Sequence, residues 1–255
     1  MRGLIATTRS AMAQALSNRA ALLVQVGVMI ANDVAWILFW ILFFDRVGSL
    51  HGWTGERMLL LLSVLTTSGG IAIGLLSNSR RVGPMVLDGE LDGVLALPVS
   101  PLAHLLVKHV EVTNLGDLVF GLVLFVVSGQ PTLARTLIFL FVVTTSTMMM
   151  VGFLVTTGSL AFFIGRNEGG ELGFHAMLLL AAYPVDVFAG VVKVILYTAV
   201  PAALMAAVPA RLIDDFEVAT AVGLAAVGVF FAGLGWATFT LGLRRYASGN
   251  VWTRG

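Results

Sequence analysis

The chain has 255 residues, of which 58% are hydrophobic and 11% charged, with a mean hydropathy of +0.96; a soluble domain carries roughly 25% charged residues. That composition excludes a soluble globular protein, and apolar stretches along the whole length exclude a lone anchor or cleaved leader on a soluble domain. The lack of cysteine excludes a disulfide framework, thiolate metal sites and thiol catalysis, while the net charge of +1 matters only through its distribution.

Residues 1–19 hold Arg2, Arg9 and Arg19 with no acid, and Leu4, Ile5, Met12 and Leu16 recur at helical spacing, which predicts a basic amphipathic helix on the membrane interface. A first span over 20–44 ends in the aromatic run WILFWILFF. A short loop with Asp45, Arg46, His51, Glu56 and Arg57 leads to a second span over 58–76. The segment 79–111 is the most charged and most punctuated of the chain. A third span over 112–127, a tight turn at 128–131 and a fourth span over 133–164 follow, ending at a polar break over 165–171. From 172 to 210 the chain is apolar but cut by Pro184, Pro201 and Pro209. That pattern predicts one crossing plus a re-entrant or interfacial piece, since proline breaks helical hydrogen bonding and irregular backbone survives at membrane depth only inside protein or beside water. A last span over 219–243 ends at Arg244 and Arg245.

This predicts an all-α polytopic membrane protein, one transmembrane domain over 1–255 with six transmembrane helices. Arg2, Arg9, Arg19, Arg80, Arg81, Lys108, Arg166, Arg244, Arg245 and Arg254 fall on one side, against Arg46, Arg57, Arg135 and Arg211 on the other. The positive-inside rule then makes both termini and 79–111 cytoplasmic.

Several chemistries are missing. The two lysines, Lys108 and Lys193, lie outside any G-x-x-x-x-G-K-[ST] loop. His51, His104, His109 and His175 form no H-E-x-x-H, and no serine sits in G-x-S-x-G. The chain is therefore expected to be neither an ATPase nor a hydrolase, and to hold no metal. Ionisable groups do occur at membrane depth: Asn32 with Asp33 in the first span, Asp117 in the third, Asp186 and Lys193 in the proline-cut region. Each charge there costs about 2.5–3.5 kcal/mol on insertion scales and needs a partner, water or a neutral state. Two readings are open: a polar substrate path or gate that includes Tyr183, Pro184 and Pro201, or headgroup-level and helix-contact roles. Gly223, Gly228, Gly233 and Gly235 suit close helix packing, within the chain or against a second subunit.

In the segment 79–111, Pro84 suits a first helical position, after which Leu87, Leu91, Val94 and Leu95 form one apolar stripe and Asp88 and Asp92 an acidic ridge. This predicts a short amphipathic helix at the membrane surface, ended by Pro98. The stretch GELDGVLALPVSPL, 89–102, resembles the G-x-L-D-x-L-L-L-x-P-[VL]-S segment between the second and third spans of ABC-2 type transporter permeases. The stretch YPVDVFAGVVKVILYTAVPAALMAAVPA, 183–210, is similar to a proline-spaced segment late in the same six-span subgroup. Gly93, Ala96 and Leu97 depart from the first pattern. The resemblance implies the membrane half of an exporter in the bacterial cytoplasmic membrane, surrounded by lipid and paired with a second permease subunit, identical or related. Cytoplasmic ABC ATPase subunits would hold the ATP and Mg, and no nucleic acid is expected among its partners. It further implies a coupling helix against the ATPase, with Gly89, Leu91, Asp92, Leu95, Leu97, Pro98 and Ser100 at the motif positions and Glu90 beside them among the coupling residues. The cargo would be hydrophobic or amphipathic: a drug, lipid or glycan. The rival is an ion-coupled secondary transporter using Asp33, Asp186 and Lys193.

Overall fold

The structure is a computed structural model that describes residues 10, 19–95, 100–128, 130–165 and 169–246. The expected amphipathic helix over 1–19, apart from its last residue and Ser10, lies outside the described residues, as does Pro98. The described chain is helical, with one isolated β-bridge between Leu50 and Trp53.

Helix α1 is Arg19–Val47 and α2 is Gly55–Gly69, prolonged by a π-helical segment, Gly70–Leu75. Short pieces follow: α3 Val82–Leu87, α4 Asp92–Leu95 and α5 Pro101–Val107. Then come α6 Val112–Ser128, α7 Leu133–Ser159 and α8 Ala161–Ile164. The proline-cut region contains α9 Gly169–Ala181, a 3-10 turn Val185–Val187, α10 Gly190–Tyr197, a π turn Ala203–Ala207 and α11 Val208–Asp214. Helix α12, Val218–Leu243, is the last.

Among the described residues four helices are long and apolar enough to cross a membrane, α1, α2 with its π extension, α7 with α8, and α12; α5 and α6, bent by 82°, make a fifth if counted as one span. The expected six crossings are thus not all single full-length helices. Helix α9 has 13 residues and, at 1.5 Å per residue, spans only about 20 Å of a ~30 Å hydrocarbon core. The chain breaks after it because Pro184 cannot continue the helix, and Val185–Val187 turns instead.

Helix α2 is the centre of the bundle, its side chains mostly buried between α6, α7 and α11, whereas α1 and α12 expose long apolar faces. Close approaches set this arrangement. Phe125 of α6 stacks on Phe139 of α7 with ring centroids 4.0 Å apart. A Cβ added to Gly235 of α12 would lie 2.9 Å from the Gly152 carbonyl of α7, so these two helices meet backbone to backbone. Gly228 also faces α7, while Gly223 and Gly233 face open space. The glycines of the last span therefore divide between an internal and an outward face.

The π segment has a local cause. An i→i+5 pattern leaves carbonyls without their helical donors, and outside groups supply them here: Ser79 Oγ donates to the Ala72 carbonyl at 2.9 Å, Asn114 Nδ2 to Ile73 at 3.2 Å, and the Glu111 N–H to Gly74 at 2.9 Å. Ser77 Oγ and Asn78 Nδ2 then reach the carbonyls of His109 and Leu105, at 2.7 and 2.8 Å. This buried Ser-Asn-Ser knot fastens the 79–111 segment to the bundle, and its end is called here the Asn78 end.

At the opposite, Trp53 end, Leu50 and Trp53 exchange two backbone hydrogen bonds around His51 and Gly52, whose φ values are +49° and +80°. Two positive φ angles are what a type I′ turn requires. The turn drives Trp53 fully into the core.

Candidate functional site

Four helices line a partly open cavity of about 340 Å³. Helix α1 contributes Asn32, Asp33 and Trp36, α6 contributes Asp117 and Phe120, α9 contributes His175, and α2 supplies mainly aliphatic side chains with Thr66. Asp33 and Asp117 are 7% and 6% exposed. Asp117 Oδ1 is buried with no hydrogen-bond partner. Sequence reading missed this convergence: Asp117, six residues into its helix, reads as a headgroup-level acid, but α6 starts deep because the π segment and the Glu111–Gly74 hydrogen bond tuck its first turn against α2. The only sequence signal is the depth of Asp33, Asp117 and His175 in apolar runs.

Toward the Trp53 end, the cavity wall at Trp36 continues into an aromatic cluster, here named the lid. Tyr183 meets Trp36 and Trp40 edge-on at 5.9 and 5.7 Å, and Phe188 packs against Tyr183 at 6.5 Å. The predicted Tyr183 thus belongs to this lid. Pro184 is buried and starts the 3-10 turn, and the Pro201 carbonyl accepts from Leu204 and Met205 at the π turn.

Beyond the aromatic layer is a cluster of charges. Asp186 accepts from the Trp53 indole at 3.0 Å and from Lys193 at 2.9 Å, and also pairs with Arg211. Its backbone carbonyl lies 2.8 Å from His51 Nδ1, and the Arg211 guanidinium sits over the Trp53 ring at 5.0 Å. Burial pushes the Asp186 carboxyl up, but the indole, Lys193 and Arg211 outweigh it and hold its pKa below the usual carboxylate value. The hydrogen bond to Asp186 raises Lys193. Beside this cluster, Arg57 binds Asp214 at 3.1 Å and Asp215 at 3.0 Å, and Arg135 binds Asp214. Asp33 lines the cavity, while Asp186 and Lys193 bond each other beyond the lid; the three residues of the ion-relay reading do not share one chamber.

At the Asn78 end the expected single amphipathic helix is two pieces. Gly89 has φ +75°, a conformation that only glycine adopts without strain, and the turn it makes separates α3 from α4. Leu91 and Val94 are buried in a cluster with Val82, Met85, Leu105, Val155 and Phe239. Leu95, expected on the same stripe, is 42% exposed, because the turn rotates α4 relative to α3. Asp88, Glu90, Asp92 and Ser100 are exposed, and Arg81 lies 3.9 Å from Glu90.

A family model described as ABC-2 family transporter protein matches residues 30–249 of this chain. The chain belongs to the ABC-2 transporter family. Neither the search of curated proteins nor that of solved structures returned a match. The ABC-2 assignment makes this a transmembrane permease of an ABC transporter, a transport subunit of a class that generally works with separate ATP-binding subunits. In this ABC-2 permease the described parts of the two sequence stretches that carried the resemblance lie at opposite ends of the bundle: 89–95 and 100–102 at the Asn78 end, and most of 183–210 around the aromatic lid and the Asp186 cluster.

Proposed function

We propose that this chain is the membrane half of an ATP-driven exporter of hydrophobic or amphipathic compounds in a bacterial cytoplasmic membrane. It works with a second permease subunit, identical or related, and with ABC ATPases that hold ATP and Mg. The Asn78 end faces the cytoplasm in this reading, which its excess of arginine and lysine supports. Of the five lysines and arginines at the opposite end, Arg57, Arg135, Arg211 and Lys193 pair with aspartates.

The observation that carries the coupling role is the build of 79–95. Its acids, Asp88, Glu90 and Asp92, face outward, while Leu91 and Val94 are inserted among Val155 of α7 and Phe239 of α12. A push on the acidic face is therefore delivered to two long helices by close-packed contacts, and interiors packed at this density transmit strain rather than absorb it. The cargo route is the cavity and its aromatic lid, with Asn32, Asp33, Tyr183, Pro184 and Pro201 along it and the Asp186–Lys193 pair beyond.

Co-purification of the chain with candidate ATPases, followed by ATP-dependent transport in vesicles, tests the proposal. Asp92→Lys should weaken association with the ATPase, and Leu91→Asp should uncouple hydrolysis from transport. If both variants assemble and transport as the natural chain does, the coupling assignment is wrong.

A further inference from the structure

The cavity between α1, α2, α6 and α9 contains two carboxyl groups, each more than nine-tenths buried, and neither lysine nor arginine is among its lining residues. A buried carboxyl is matched by a cation or by a full set of hydrogen-bond donors, or it keeps its proton until a cation displaces it. The second solution is absent for Asp117, whose Oδ1 is buried without a hydrogen-bond partner. No lysine or arginine of the lining supplies the first, and its one basic side chain is His175. The remaining wall is aliphatic and aromatic, with the Trp36 and Phe120 rings beside the acids, and aromatic faces attract cations.

We propose that this cavity is a binding site for a lipophilic organic cation, a compound with one compact positive head and an apolar body; as the permease's cargo this rests on the transport reading above, whereas the binding does not. The head sits between Asp33 and Asp117, and the body lies along Trp36, Phe120 and the leucines of α2 and α9. The volume of about 340 Å³ falls in the range of roughly 300–1,000 Å³ that holds small molecules. A bare divalent ion fits poorly, since calcium takes six to eight oxygens and magnesium an octahedron of them. A glycan fits poorly as well, because its hydroxyls would find few partners on a wall this apolar. The site belongs to a cation that brings its own hydrocarbon.

The full chain in phosphatidylcholine nanodiscs tests this without any ATPase. Three probes share one tail: phenylbutyl-trimethylammonium, its uncharged carbon analogue, and the sulfonate. The ammonium should bind saturably and at least about ten-fold tighter than the neutral analogue, a gap of roughly 1.4 kcal/mol, and the sulfonate should not bind. Asp117→Asn should cut that preference about ten-fold, and the Asp33→Asn, Asp117→Asn pair should abolish it while weak binding of the neutral analogue persists, which shows the cavity intact. Equal binding of ammonium and neutral analogue to the natural chain overturns the proposal, as does a charge preference that survives the double substitution. Adding candidate ATPases to the same nanodiscs separates the two readings. Recruitment without charge preference sinks only the cation site, whereas charge preference without recruitment sinks only the proposed coupling to those ATPases.

Discussion

Placing an alanine at Gly152 or at Gly233 should have opposite effects, although both substitutions sit in long apolar helices. A Cβ on Gly152 would overlap the Phe231 carbonyl and lie 2.8 Å from the Ala232 nitrogen, where ordinary contact begins near 3.4 Å. The obstacle is backbone, which cannot rotate away, so α7 and α12 must part by about 1 Å and weaken dispersion contacts along their length. Overpacking of this kind costs about 1–3 kcal/mol, against a gain of roughly 1 kcal/mol from replacing glycine by alanine in a helix. Gly152→Ala should thus destabilise, by up to about 2 kcal/mol. At Gly233 no atom lies within 4 Å of the added carbon, leaving only the propensity gain of about 0.5–1 kcal/mol. Tryptophan fluorescence during thermal unfolding in nanodiscs reads both. A lower midpoint for Gly152→Ala and an unchanged or higher one for Gly233→Ala is the expected result. Two shifts of the same sign would mean that α7 and α12 do not meet at these glycines.

Asp186→Ala should remove the acceptor of the buried Trp53 indole and cost about 1–3 kcal/mol from that donor alone, whereas Asp186→Asn, which keeps an acceptor oxygen, should cost less; unfolding midpoints compare them. The Asp186 carboxyl is held below its ordinary value, so its contribution is fully present above about pH 4 and is lost as pH falls through the lowered value. A midpoint-against-pH curve of the natural chain should show that acid decline, and the Asp186→Asn curve should lack it. Asn78→Ala removes the 2.8 Å donor to the Leu105 carbonyl, which keeps the Lys108 N–H at 3.3 Å, a loss of about 0.5–1.5 kcal/mol. Limited proteolysis should then cut faster between residues 88 and 100. Gly89→Ala places a side chain at φ +75°, so it should destabilise by about 1 kcal/mol or more, seen as weaker ATPase association with an intact bundle.

The span boundaries of α2, α7 and α12 were legible because runs of apolar residues ended by charges or glycine leave one solution in lipid. The composition of 172–210 announced a break, and Pro184 makes it, yet the path of α10 and the π turn depends on Trp53 and Arg211, residues 133 and 25 positions from Asp186. Periodicity suggested that Asp186 and Lys193 share a helical face. They do bond, but across a 3-10 turn and a separate helix, which spacing alone does not distinguish. The one-helix reading of 84–97 failed at Gly89, where a local turn overrides the stripe that Leu87 to Leu95 would otherwise continue. Asp33 and Asp117 were each visible as acids at depth. Their meeting was not, because helix spacing says nothing of which distant helices become neighbours.

The charge pairs at the Trp53 end also order events in time. Arg57 finds its acids, Asp214 and Asp215, 157 and 158 residues further along the chain, and Trp53 finds Asp186 after 133. During synthesis α1 and α2 therefore exist for most of the chain's elongation with that end unfastened. Long-range closures of this sort are reached slowly, so a truncation that ends before residue 211 should leave an inserted but unsealed bundle, exposed to proteases at 48–57 and open to quality control.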